Sequence, residues 1–178
     1  MDKSIIPECF ADTLLIEMLV PTKTRYNHQH SCFKVEATMK TINKFAVGII
    51  DRDKRQIKYL DEFQIIDEVK GKAALILWRH KKLEVNHFIV QICPALEQWL
   101  IEICVKESID LCDFDENVLE GIKYHSKSSS RTDNPKLKKL FSEVIKRNES
   151  LSVKKLRNWI TLLKEKNYKV DINELING

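Results

Sequence analysis

No apolar run in this chain approaches the roughly 18–20 residues that a helix needs to cross a bilayer, so a helical membrane protein is not expected. The opening Met1-Asp2-Lys3-Ser4 lacks the basic-then-apolar pattern of a secretory signal, and the expected address is the cytoplasm. Glycine is scarce at 4 residues, and no GxxxxGK[ST] segment or other Gly-rich phosphate loop is present, which argues against a built-in ATPase or a small-molecule phosphotransferase. The cysteines number 5, an odd count, and none forms a CxxC pair. A disulfide framework or zinc knuckle is therefore not expected, and reduced, mostly buried thiols are. There is no internal repeat, and no nucleophile–base–acid arrangement that would mark a hydrolytic triad.

What is present is an ordinary globular mixture. The 178 residues are 43% hydrophobic and 31% charged, enough apolar material for one core, or for one domain with a small helical appendage. The net charge of +4 is unevenly spread: residues 122–178 hold 14 Lys+Arg against 6 Asp+Glu, whereas residues 1–121 hold 16 against 20. A basic C-terminal arm of this kind either meets phosphates or consists of amphipathic helices with Lys-rich solvated faces.

The first part of the chain alternates strand and helix signals. Ser4-Ile5-Ile6 is a short apolar run stopped by Pro7, and Leu14, Leu15, Met18 and Leu19 predict a helix over 11–20, with Asp12 in its first turn. Phe33, Val35 and Ala37 alternate and predict a strand over 32–37, followed by a short helical piece near Met39–Ile42. Phe45 to Ile50 is apolar throughout, as in a central parallel strand buried on both faces. Residues 61–69 are expected to be helical. Two strands, 73–78 and 88–93, are expected to form a hairpin or to be neighbours, and a helix is expected from Pro94 to about Lys106. After a polar, basic stretch at 126–133, Asn134-Pro135 opens a helix striped by Leu137, Leu140, Phe141, Val144 and Ile145. A last helix begins near Ser152. The expectation is an α/β fold, with a sheet domain over 1–112 and a basic helical segment over 113–178 packed on or beside it.

Ligands of open α/β sheets sit outside the carboxyl ends of the strands. Glu8 follows the first strand, and Asp51 and Asp53 follow the most apolar one. If those strands are parallel neighbours, three carboxylates converge, and a hard divalent cation is the usual reason to gather them. The bland alternatives are a helix-capping Glu8 and ordinary turn residues at Asp51 and Asp53.

Two segments carry a family resemblance. Ile5-Ile6-Pro7-Glu8-Cys9-Phe10-Ala11-Asp12 resembles the first motif of Toprim domains, a strand ending in Glu with an Asp four residues later at a helix start. Val47-Gly48-Ile49-Ile50-Asp51-Arg52-Asp53 resembles the second, an apolar strand ending in DxD. Cys9 stands where the family usually has Gly. A third segment, Ile92-Cys93-Pro94-Ala95-Leu96-Glu97-Gln98-Trp99-Leu100, is similar to the strand-to-helix passage of OLD-like Toprim nucleases of bacterial anti-phage systems, which places Glu97 at an acidic metal-site position. The same Glu97 would otherwise be a solvent-facing residue of an amphipathic helix. The resemblance spans about residues 3–107.

The resemblance implies a sheet of roughly four parallel strands between helices, Mg²⁺ (or Mn²⁺) held by Glu8, Asp51, Asp53 and Glu97, and hydrolysis of DNA or RNA. Glu8 would bind metal or act as a general base, and Lys54 would stabilise charge on the phosphate. Arg52 would contact nucleic acid or pair with a carboxylate. His28, His30, Lys127 and Arg131 are further candidate nucleic-acid contacts. At 178 residues, the tyrosine-bearing domains of a topoisomerase and the extra domains of a primase are not expected. An ATPase or other defence-system partner on a separate chain, a homodimer, and a non-catalytic or partner-activated binding module all fit the same resemblance.

Overall fold

The structure is a computed structural model that describes residues 2–42, 44–52, 57–82, 84–111, 135–147 and 149–178. Among the described residues, five strands form one mixed sheet: β1 (Ile5–Pro7), β2 (Ala46–Asp51), β3 (Phe63–Val69), β4 (Ala74–His80) and β5 (His87–Cys93), in the order β1-β2-β5-β4-β3. β1, β2 and β5 run parallel, whereas β3 and β4 pair antiparallel. Because β4 is antiparallel to both β5 and β3, β3 points the same way as β1, β2 and β5: four strands share one direction, and β4 alone runs against them. The sheet is mixed, because short turns after β3 and β4 reverse the chain where a parallel neighbour would need a crossover. The expected hairpin of the strands at 73–78 and 88–93 is present as β4–β5.

β2 lies between β1 and β5 and is buried on both faces, as its unbroken apolar run requires. Val47 and Ile49 face one core, together with Phe88, Val90 and Ile92 of β5. Ala46 and Ile50 face a second, smaller core with Ile89. The larger core is covered by α1 (Phe10–Leu19), α3 (Leu96–Lys106), α4 (Pro135–Arg147) and α5 (Leu151–Lys166), and takes in Leu175 of the short α6 (Ile172–Asn177). Trp99 and Trp159 are fully buried in it. The smaller core is covered by α2 (Cys32–Thr41) and a 3₁₀ turn, Lys58–Glu62. None of the helices among the described residues is long and apolar enough to cross a membrane. Cys9, Cys32, Cys93 and Cys104 are free thiols.

Two element expectations are overturned. Residues 32–41 form a helix, not a strand followed by a short helical piece. The alternation of Phe33, Val35 and Ala37 suggests period 2, but the buried side chains are Cys32, Val35 and Met39, a helical spacing, and Phe33 is exposed. Ser31 caps the helix, its Oγ accepting from the Lys34 N–H at 3.3 Å. Gly48 shows why α2 can lie flat on the sheet: a Cβ there would stand 2.7 Å from Met39 Sδ and 2.9 Å from Val35 Cγ1. Residues 63–69, expected to be helical, form the edge strand β3 instead. Its pattern is blurred because one side of the ladder is unpaired and the register shifts between Ile65 and Asp67.

Candidate active site at the carboxyl ends of the parallel strands

The parallel pairing of β1 with β2 sets Pro7 beside Ile49, so the residues that follow each strand emerge at the same sheet edge. The Glu8 N–H continues the ladder, donating to the Ile49 carbonyl at 2.9 Å. The Glu8 Oε2 in turn accepts from the Asp51 N–H at 3.1 Å. Asp51 closes β2 and reaches the next element: its Oδ1 accepts from the Leu96 N–H at 3.1 Å, at the start of α3. Two backbone amides thereby hold Glu8 and Asp51 in place and couple β1, β2 and α3.

Asp12 completes the cluster from α1. Its Oδ2 accepts from the Cys9 N–H at 3.1 Å, while Cys9 Sγ accepts from the Asp12 N–H at 3.5 Å. This is a reciprocal capping box in which a thiol stands in for the usual hydroxyl. Asp12 is only 1% exposed, and its Oδ1 is buried without a hydrogen-bond partner. A carboxylate at a helix N-terminus is ordinarily favoured as the anion. Here burial and then the nearby Glu8 outweigh that, with Glu97 adding to the effect, and push the Asp12 carboxyl from 3.8 up to about 7. Burial, followed by Asp12, Glu8 and Glu97, likewise raises the Asp51 carboxyl well above its ordinary value, against the lowering effect of the Leu96 N–H. Burial, and next Asp12, also pushes up the Cys9 thiol.

Glu97, half-buried in the first turn of α3, therefore acts on the same group of carboxylates. The structure brings together Glu8, Asp51 and Glu97 and adds Asp12, which the sequence placed only as a first-turn carboxylate and as part of the first motif. The signal that marks it is its spacing of four residues from a Glu that ends a strand.

Arg52, exposed, donates its backbone N–H to the Ile92 carbonyl at 2.7 Å. The positive charge of its guanidinium partly offsets the rise that burial causes in the Cys93 thiol. His28 and His30 lie at the rim. The Asn27 N–H donates to the Ile5 carbonyl and the Gln29 N–H to the Pro7 carbonyl, so this segment follows β1 to the residue before Glu8. The His28 ring centroid stands 3.9 Å from that of Phe10, and the His30 centroid 5.8 Å from it. Burial, then His30 and Arg25, lowers the pKa of His28. Asp53, Lys54, Lys127 and Arg131 lie outside the described residues.

The donor set fits a hard divalent cation in its chemistry. Every candidate donor is a carboxylate oxygen, the Asp12 Oδ1 is buried without a partner, and a cation would offset the burial and the mutual repulsion that together raise Asp12 and Asp51. Among the described residues, no group of three or more His, Cys, Asp or Glu side chains stands where it could hold a metal ion, so the fit is one of donor chemistry and not of ligand geometry. No protein-family model, curated protein or solved structure matches the chain.

Proposed function

We propose that this protein is a Toprim-type, Mg²⁺- or Mn²⁺-dependent nuclease that hydrolyses phosphodiester bonds of DNA or RNA. The observation that carries the reading is the convergence of Glu8 and Asp51 at the carboxyl ends of two adjacent parallel strands, joined by the Asp51 N–H to Glu8 Oε2 bond, with the buried Asp12 of α1 capping the turn that follows Glu8. In this reading Glu8, Asp51 and Glu97 hold the metal together with Asp53, whose part rests on the DxD motif. When bound, the metal supplies charge stabilisation at a phosphoryl oxygen and a lowered pKa for attacking water. The chain's own contribution is to hold and neutralise. The Leu96 N–H orients Asp51, and the Asp51 N–H orients Glu8. Glu8 is a ligand or the general base. Asp12, with its carboxyl near neutrality, holds a proton beside Glu8 in the metal-free state and yields it as cations enter. Lys54 offsets charge on the phosphate, as its place after the motif suggests.

The partners in this reading are nucleic acid, met in part by the basic C-terminal segment. A second copy of the chain and an ATPase or other defence-system chain are further candidates, and the setting is the cytoplasm. A second reading, a non-catalytic or partner-activated binding module, draws on a specific observation. Glu8 and Asp51 already accept backbone N–H bonds, and Cys9 caps α1 where the family has Gly, so the cluster can stand as a protonated structural unit.

The test is cleavage of supercoiled plasmid, linear DNA and structured RNA with Mg²⁺ or Mn²⁺, wild type beside Asp51→Ala and an EDTA control. Metal-dependent cutting that vanishes in the variant supports the nuclease. Cutting that survives Asp51→Ala at the wild-type rate sinks the assigned site, and no cutting by wild type under any condition favours the second reading.

A further inference from the structure

Next to the carboxylates, the same edge of the sheet opens into a hollow of about 620 Å³ whose two cationic walls are Arg52 and Lys72. Its floor is the turn Cys93-Pro94-Ala95, and among the described residues no carboxylate lines it. A second hollow of 310 Å³ shares Gly71 and Lys72 with the first. It continues between the β3–β4 turn, the end of α3 and the start of α5, and its charged lining among the described residues is Lys70, Lys72, Lys106 and one carboxylate, Glu102. Among the described residues, the two hollows together carry four cations against one anion. The first begins beside the site: Arg52 follows Asp51, and Ala95 precedes Leu96, whose N–H holds Asp51.

We infer that these two hollows form one basic track, which seats the sugar–phosphate backbone of a nucleic-acid strand leading away from the carboxylate cluster. The inference rests on the nuclease reading for the chemistry at its head, and on its own geometry for the binding.

The walls are built in place. Ser152 Oγ donates to the Ala73 carbonyl at 2.5 Å, and the Ser150 N–H donates to Glu107 Oε1 at 2.6 Å. These bonds pin the start of α5 to the β3–β4 turn and to the end of α3. Arg147 adds a bond to the Glu107 carbonyl. Gly71, at φ +128°, turns the chain with open space where a Cβ would be, so the turn presents Lys70 and Lys72 without crowding the track. Lys72 faces Glu102 at 3.8 Å and Lys70 faces Glu68 at 3.0 Å, and both lysine side chains are more than four-fifths exposed. Ion pairs this exposed hold little free energy, so a phosphate diester, with an ion atmosphere to release, competes for the same ammonium groups. Val105 is 68% exposed and Leu151 55% exposed along the second hollow, an apolar surface for sugars and base faces.

The test is fluorescence anisotropy of labelled single-stranded deoxy- and ribo-oligonucleotides in EDTA, titrated over a series of KCl concentrations. A Lys72→Ala/Lys106→Ala double variant is expected to bind about tenfold more weakly at moderate salt, and its log–log salt slope is expected to fall by about 1.4, from roughly 0.7 per lost contact on single strands. Lys72→Arg should keep the slope, and Lys82→Ala, at the opposite end of the sheet, should change nothing. Circular dichroism checks that the double variant is folded. Cleavage is measured on the same proteins. If wild type cuts and binds while the double variant binds with unchanged affinity and slope, the track is overturned and the nuclease stands. If wild type binds, the variant loses affinity and slope, and nothing is cut, the track stands and the chemistry falls. Wild type that binds no oligonucleotide overturns the track directly.

Discussion

Replacing Asp12 with Asn isolates the electrostatic state of the carboxylate cluster in metal-free protein. Asp12 is buried, and its folded-state carboxyl sits at about 7 against an ordinary 3.8. The folded chain therefore holds a proton that the unfolded chain has released across that interval. Stability from this group is complete below 3.8 and is lost as pH rises through about 7. At about 1.4 kcal/mol per pH unit, the gap is worth a ceiling of about 4 kcal/mol, shared in practice with Asp51, whose raised carboxyl has the same sign. The Asn variant keeps an oxygen to accept the Cys9 N–H but places an amide where the partnerless Oδ1 was, at a pH-independent cost of about 1–3 kcal/mol. The informative quantity is accordingly the slope. Urea unfolding in EDTA, followed by tryptophan fluorescence between about pH 4.5 and 8.5, should show wild-type stability falling by a few kcal/mol as pH rises. The Asn variant should lose much of that fall. Equal slopes in the two proteins would refute the assignment of a high-pKa carboxyl to Asp12.

Other substitutions probe the frame around the site. Gly48→Ala puts a Cβ against Met39 Sδ and Val35 Cγ1 and should cost about 1–3 kcal/mol by overpacking, with Met39→Ala recovering part of it in denaturant unfolding. At the other end of the sheet, His87 Nε2–H donates to the Ile42 carbonyl at 2.9 Å and Nδ1 accepts from the Tyr59 hydroxyl at 2.8 Å. Burial, with some help from His80, lowers its pKa below 6.5. Its stabilising contribution is therefore present above 6.5 and lost as pH falls through the lower folded value. His87→Phe should flatten the acid side of a Tm-versus-pH curve while lowering Tm at neutral pH. Trp159, fully buried, donates its indole N–H to the Leu175 carbonyl at 3.0 Å. Trp159→Leu should cost several kcal/mol from cavity and lost bond together, and faster amide exchange in Ile172–Asn177 should accompany it.

Much of the fold was legible where local pattern and tertiary environment agree. β2 is apolar at every position because both its faces are covered, and the stripe of Leu137, Leu140, Phe141 and Val144 is the buried face of α4. The failures came where two periods share the same residues. In α2, Val35 serves both an alternating and a helical pattern, and only the fit of Val35 and Met39 over Gly48 decides between them. In β3, an unpaired edge and a register shift erase the alternation. At the site, Glu8 and Asp51 were readable because a strand end fixes where its next residue emerges. Asp12 was present in the motif, but its standing as a buried, raised carboxyl depends on packing that composition does not carry. The placement of His28 and His30 beside Phe10 depends on a non-local pairing of their loop with β1, which leaves no periodic trace.

Calorimetric titration of Mn²⁺ into wild type and Asp51→Asn at about pH 7, where Asp12 still holds part of its proton until a cation is bound, bears most directly on the carboxylate cluster as a metal centre. Saturable binding by wild type, with protons released and a loss of most of the affinity in Asp51→Asn, is the expected result. No binding by folded wild type, or equal binding by both proteins, would contradict it.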